Sequence, residues 1–117
     1  MSASSPHRYV YKIVPSPPPD TMPEQFPLSE LDQKDGFVHL STGEQIPLTC
    51  DRFFKNASSL WVFKFELARF SDTVRWEGGF PHLYGNFGVK DILAVQRFER
   101  AEGGNWPEAM RGSQWLE

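Results

Sequence analysis

One cysteine, Cys50, occurs among the 117 residues, and a single thiol excludes an internal disulfide and a cysteine-rich zinc site. That usage fits a reducing compartment, so the cytoplasm is the expected location. Long hydrophobic runs are missing too. None approaches the ~20 apolar residues of a membrane-spanning helix, and the N-terminus lacks the basic-then-apolar order of a secretory signal. Basic clusters are equally scarce: 12 Lys and Arg stand against 15 Asp and Glu, a net charge of −3. No stretch gathers the cationic footprint that a phosphate backbone requires, so neither strong nucleic-acid binding nor a membrane partner is expected. The familiar motifs are absent as well, with no glycine-rich phosphate loop, serine nucleophile elbow, His-Glu-x-x-His helix or calcium loop.

Aromatic rings are abundant. Ten Phe, four Trp and three Tyr exceed what a small core needs when each ring can bury ~150 to 250 Å², so some are expected to line a pocket. The length suits one globular domain, expected over residues 8–100. A flexible leader is expected at residues 1–7, and a C-terminal tail at 101–117 that docks through Trp106 and Trp115 onto its own domain or a neighbour's. Charge is uneven: residues 1–50 carry three basic and six acidic groups, residues 51–117 nine of each.

Tyr9 to Val14 reads as a β-branched and aromatic strand with Lys12 as its only charge. Six of the ten prolines fall between Pro15 and Pro27, where missing N–H groups and fixed φ exclude a central strand or an intact helix. Leu28 to Lys34 predicts a short helix with Ser29 or Asp32 near its start, closed by the turn at Asp35-Gly36. Phe37 to Ser41 is a second strand, with Val38 and Leu40 on one face and Phe37, His39 and Ser41 on the other. Thr42 and Gln45 have capping-box spacing, and Ile46, Cys50, Phe53 and Phe54 form one helical stripe behind them. Leu60 to Leu67 is the clearest strand, with Lys64 and Glu66 expected to emerge into solvent. Thr73 to Glu77, Phe80 to Gly85 and Ile92 to Glu99 complete the set. Together these predict an α+β fold, a small split β-sheet of about five strands with two or three helices.

Chemistry-bearing residues come as three strand-face pairs: His39 and Ser41, Arg75 and Glu77, His82 and Tyr84. Histidine suits proton transfer near neutrality because its ordinary pKa is ~6.5. Each pair also has a plain structural reading: a solvated strand face for Arg75 and Glu77 and for His39 and Ser41, a turn histidine after Pro81 for His82, an amphipathic core ring for Tyr84. No close ligand spacing supports a metal at His39, His82 and Glu77. Cys50, on the apolar stripe of its helix, reads as a buried and inert thiol.

The blocks YKIV, DGFVHLST followed by EQ, RFF, a hydrophobic strand, VRWE and FPHLYG resemble the family numbered 952 among domains of unknown function, over Tyr9 to about Phe98. At the level of fold that family is similar to ADP-ribosyltransferases, whose small split sheet binds NAD in a cleft. The block VHLST, a helix and the strand LWVFKFEL resemble the matching stretch of the NAD-dependent RNA 2′-phosphotransferases, where a His-x-Ser block contributes to the substrate cleft. Carried over, that block falls on His39 and Ser41. This chain departs from the first-strand histidine of many such enzymes, with Tyr11-Lys12-Ile13 at the comparable place, and the Arg-His pairs of the phosphotransferases have no counterpart.

The resemblance implies an enzyme acting on NAD, as co-substrate, or on an ADP-ribosylated or phosphorylated small molecule or RNA end. Glu77 takes the place of the carboxylate that stabilises a ribosyl cation. His39 and His82 are the further catalytic candidates; Ser41, Arg75 and Tyr84 are the substrate-binding ones, Arg75 with His82 on a pyrophosphate and Tyr84 on a flat ring. Two other readings share these residues: a noncatalytic pocket for a nucleotide or aromatic metabolite, and a lyase or isomerase that uses His39, His82 and Glu77 as acid and base.

Overall fold

The computed structural model describes residues 7–70 and 72–117; of the leader expected at 1–7, all but His7 lies outside them. Among the described residues six strands and three helices form in the order β1 (Tyr9–Val14), α1 (Glu30–Asp35), β2 (Val38–His39), α2 (Ile46–Phe53), β3 (Ser59–Glu66), a 3₁₀ turn at Leu67–Phe70, β4 (Val74–Glu77), β5 (Phe80–Leu83), β6 (Ala94–Glu99) and α3 (Trp106–Ala109). The strands make two three-stranded sheets, β1-β3-β6 and β2-β5-β4, with every ladder antiparallel. The fold is thus α+β, with six strands where about five were expected.

Alternation along the strands divides the core into two layers. Tyr11 and Ile13 of β1, Leu60 and Val62 of β3 and Phe98 of β6 pack with Ile46 and Cys50 of α2 and with Trp106 and Met110. The opposite face of the same sheet offers Val10, Phe63 and Phe65 to Val38 and Leu83 of the second sheet, in one cluster with Leu40, Phe70 and Phe87. The second sheet therefore buries one face and presents the other outward, as antiparallel sheets commonly do.

Expected and observed elements differ where tertiary contacts intervene. The strand foreseen at Phe37 to Ser41 pairs with β5 at Val38 and His39. The chain then crosses to β1, where Ser41 and Tyr11 exchange backbone hydrogen bonds of 2.8 and 2.9 Å. The Thr42–Gln45 capping box forms, each residue's backbone N–H donating to the other's side-chain oxygen, at 2.9 and 3.2 Å, and Pro47 sits in the first turn of α2, where its missing N–H costs nothing. Ile46 and Cys50 are buried on the foreseen stripe, but Phe53 is exposed. Lys64, expected in solvent, is buried. The tail covers it: the ammonium donates to Glu117 Oε2 at 2.6 Å and the Trp115 carbonyl at 3.0 Å, and lies 4.3 Å from the centre of the Tyr9 ring.

Candidate active site on the outer face of the second sheet

Antiparallel register sets His39 opposite His82, and His82 opposite Arg75. One row of nitrogen-rich side chains thus crosses β2, β5 and β4. Their strand neighbours Val38 and Leu83 point into the core, so this row occupies the outward face. Phe37 and Tyr84, each one residue beyond the end of its strand and two from a histidine, join it. The Phe37 ring stacks on His82 at 4.1 Å and 18°, and lies 4.5 Å from His39 and 5.2 Å from Tyr84.

Glu77 reaches the face from β4, carried by a two-residue hairpin. Gly78 and Gly79, with φ of 61° and 85°, supply the left-handed backbone of a type I′ turn, which side chains with a Cβ resist. Glu77 Oε1 accepts from the Tyr84 hydroxyl at 2.7 Å and lies 2.7 Å from His82 Nδ1. Tyr84 first and His82 second hold the carboxyl below the usual carboxylate range, and the carboxylate in return raises the Tyr84 phenol. Among the described residues, Glu77 and His82 make these hydrogen bonds through Oε1 and Nδ1, and none is formed by Oε2 of Glu77 or Nε2 of His82. The Arg75 guanidinium sits 5.4 Å from the centre of the Tyr84 ring.

His39 is held differently. Its Nδ1 lies 2.6 Å from Asp32 Oδ1, which also accepts its backbone N–H at 3.1 Å, and its Nε2 lies 2.9 Å from Asp35 Oδ2. The other Asp32 oxygen accepts from Lys12 Nζ at 2.7 Å. Asp32 and Lys12 side chains are 2% and 10% exposed, so this ion pair is internal. Burial pushes the Asp32 carboxyl up, but the hydrogen bonds from Lys12 and His39 outweigh it and hold the group below its ordinary value.

Five of the six residues singled out from the sequence thus meet: His39, His82, Arg75, Glu77 and Tyr84. Ser41 does not join them; it is buried at the seam where the chain crosses to β1. The sequence reading missed Lys12, Asp32 and Asp35 as parts of the cluster, although a lone lysine in an apolar strand is itself a sign that a counter-charge waits opposite. Among the described residues no group of three or more His, Cys, Asp or Glu is placed to hold a metal ion. A recess of about 240 Å³ lined by Glu66, Arg69, Lys90 and Asp91 shares no residue with this face. Arg69 and Asp91 already pair there at 3.1 Å, which leaves the histidine face as the site with chemistry to offer.

Fold and face together define a small α+β protein whose second sheet displays two histidines, each anchored by a carboxylate. Residues 20–95 match the family described as "Protein of unknown function (DUF952)", and the chain belongs to that family. The match is narrower than the Tyr9 to Phe98 span of the motif blocks. The crystal structure of protein CC0527 from Caulobacter crescentus is similar at 28% identity and a TM-score of 0.69, covering 83% of this chain and 91% of that one. The solution structure of CC0527 gives 26% identity and 0.66, over 83% and 90% of the two chains. Comparison with curated proteins gives no match. No helix among the described residues is long and apolar enough to cross a membrane.

Proposed function

We propose that the outer face of the second sheet is the active site of an ADP-ribosyltransferase-type enzyme, taking NAD or an ADP-ribosyl or phosphorylated small molecule in the cytoplasm. The observation that carries this reading is Glu77: its carboxylate is ionised, fixed through Oε1 by Tyr84 and His82, and has Oε2 free. A fixed carboxylate of this kind stabilises positive charge on a ribose as its glycosidic bond breaks. Phe37 and Tyr84 offer flat apolar surface to a ring. Arg75, which among the described residues makes no ion pair and lies 5.4 Å from the centre of the Tyr84 ring, suits one oxygen pair of a pyrophosphate.

The step balances simply. The bond between ribose C1′ and the nicotinamide nitrogen breaks, the electron pair leaves with nicotinamide, and a water or acceptor oxygen bonds to C1′. The proton of that nucleophile passes to His82 Nε2. Glu77 accepts a hydrogen bond from Nδ1–H of the same ring, which keeps its proton, and so steadies the imidazolium, the orienting role that a carboxylate plays beside a catalytic histidine.

Incubation of the purified protein with NAD, followed by mass spectrometry for nicotinamide and ADP-ribose, tests this. Turnover is expected, and Glu77→Gln is expected to abolish it with the fold unchanged. An active Glu77→Gln variant removes the proposed role. The open His82 Nε2 favours a second reading, acid–base chemistry by a lyase or isomerase on an unrelated metabolite. Solvent deuterium entering the product, without nicotinamide release, identifies that case; binding of NAD without any product identifies a noncatalytic carrier.

A further inference from the structure

We infer that Asp32, braced by Lys12, is the positioning residue of this face: it clamps the His39 ring and leaves His82 as the histidine with a nitrogen open to ligand. The two rings lie 5.8 Å apart on paired positions of neighbouring strands, yet their surroundings differ in kind. His82 has one carboxylate, on Nδ1. His39 has a carboxylate on each nitrogen, Asp32 on Nδ1 and Asp35 on Nε2. Both ring nitrogens of His39 are thus occupied by carboxylate oxygens, where His82 has only its Nδ1 so occupied.

Asp32 is built for the task. Its Oδ1 takes both the ring and the backbone N–H of His39, which fixes side chain and strand as one unit. Its Oδ2 takes the Lys12 ammonium, so the carboxylate stays charged although it is buried and α1 is only six residues long. The three elements β1, α1 and β2 thereby meet on a single carboxyl group. The consequence for the face is a division of labour. His39 serves as a fixed wall for the Phe37 ring, and proton transfer falls to His82. This deepens the reading above, but its test needs no turnover.

The experiment is a proton–nitrogen NMR measurement of the histidine ring N–H groups, with His39→Gln and His82→Gln variants to assign them. In the unmodified chain His39 Nδ1–H is expected as a slowly exchanging, far-downfield proton. In Lys12→Met/Asp32→Asn, which removes the buried pair evenly and so spares the fold, an amide oxygen replaces the carboxylate. The Nδ1 proton is then expected to move upfield, because neutral acceptors make weaker hydrogen bonds. Lys12→Met/Asp32→Leu removes the acceptor, and the signal is expected to be lost while His82 signals stay in place. Asp35→Asn is expected to move the Nε2 proton and spare Nδ1. An Nδ1 signal unmoved in the Asn variant overturns the inference, as does one that persists in a folded Leu variant. Failure of the ribosyl reading shows up separately, as an unmodified chain that releases no nicotinamide.

Discussion

Asp32 is nearly sealed from solvent and remains ionised, and the Lys12 ammonium beside it is the reason. Removing one partner alone leaves the other charge buried and unpaired. Asp32→Ala is therefore expected to cost about 3–5 kcal/mol in urea unfolding, with Lys12→Met/Asp32→Asn costing much less. The acid side of the stability profile follows from the same group. Asp32 titrates lower in the folded chain than in the unfolded one, so its contribution is whole above the unfolded value of ~3.9 and is lost as the pH falls through the folded value. Urea midpoints measured from pH 6 down to pH 2 are expected to fall more steeply for the unmodified chain than for the double variant. Equal slopes would show that the Asp32 pair does not govern this limb. In the sequence Asp32 is one acidic residue near a helix start, and nothing local marks it out from Glu30. Its role exists only because β1 brings Lys12 alongside.

Local chemistry writes several elements outright. The Thr42–Gln45 box closes the turn that leads into α2 and Pro47 sits in that helix's first turn, Ser29 caps α1 by accepting the Asp32 N–H at 3.1 Å, and Gly78-Gly79 closes the hairpin that delivers Glu77. The proline-rich stretch is different. Its composition reads as a surface connector, yet it lies against the chain after β5: the Phe26 N–H donates to the Phe87 carbonyl at 2.7 Å and the Val89 N–H to the Pro23 carbonyl at 2.9 Å. Phe26 stacks on Phe87 at 5.2 Å and meets Phe63 edge-on at 5.1 Å. Gly88 is required there because a Cβ on it would lie 1.5 Å from the Glu24 carbonyl oxygen. Gly88→Ala is expected to destabilise by about 1–3 kcal/mol through overpacking, read as a lower denaturation midpoint. An unchanged midpoint would mean that the stretch lifts away without cost.

At the scale of the whole molecule the C-terminal segment seals the first core layer. Trp106 is fully buried and its indole N–H donates to the Phe54 carbonyl at 3.0 Å, while Trp115 meets Tyr11 edge-on at 5.6 Å. The Tyr11 hydroxyl accepts the Glu117 N–H at 2.7 Å. Beneath this cover lies Cys50, whose thiol is pushed up to about 12 by burial first and by the neighbouring Asp51 second. The folded chain is expected to resist a thiol-disulfide reagent at pH 8 and to release one thiol per chain when denatured; a fast native reaction would mean that the cover opens. Alternation and capping were readable because strand and helix periodicity are local properties. Thus β1, the turn before α2 and the shared face of His82 and Tyr84 follow from the amino-acid order alone. The burial of Lys64 and Lys12, the separation of Ser41 from His39 and the pairing of each histidine with its carboxylate were decided by the tertiary structure. The polar contacts involved join residues 4 to 53 apart in the chain, and a buried charge such as Lys12 or Lys64 is stable in the interior only when packing brings its partner to it.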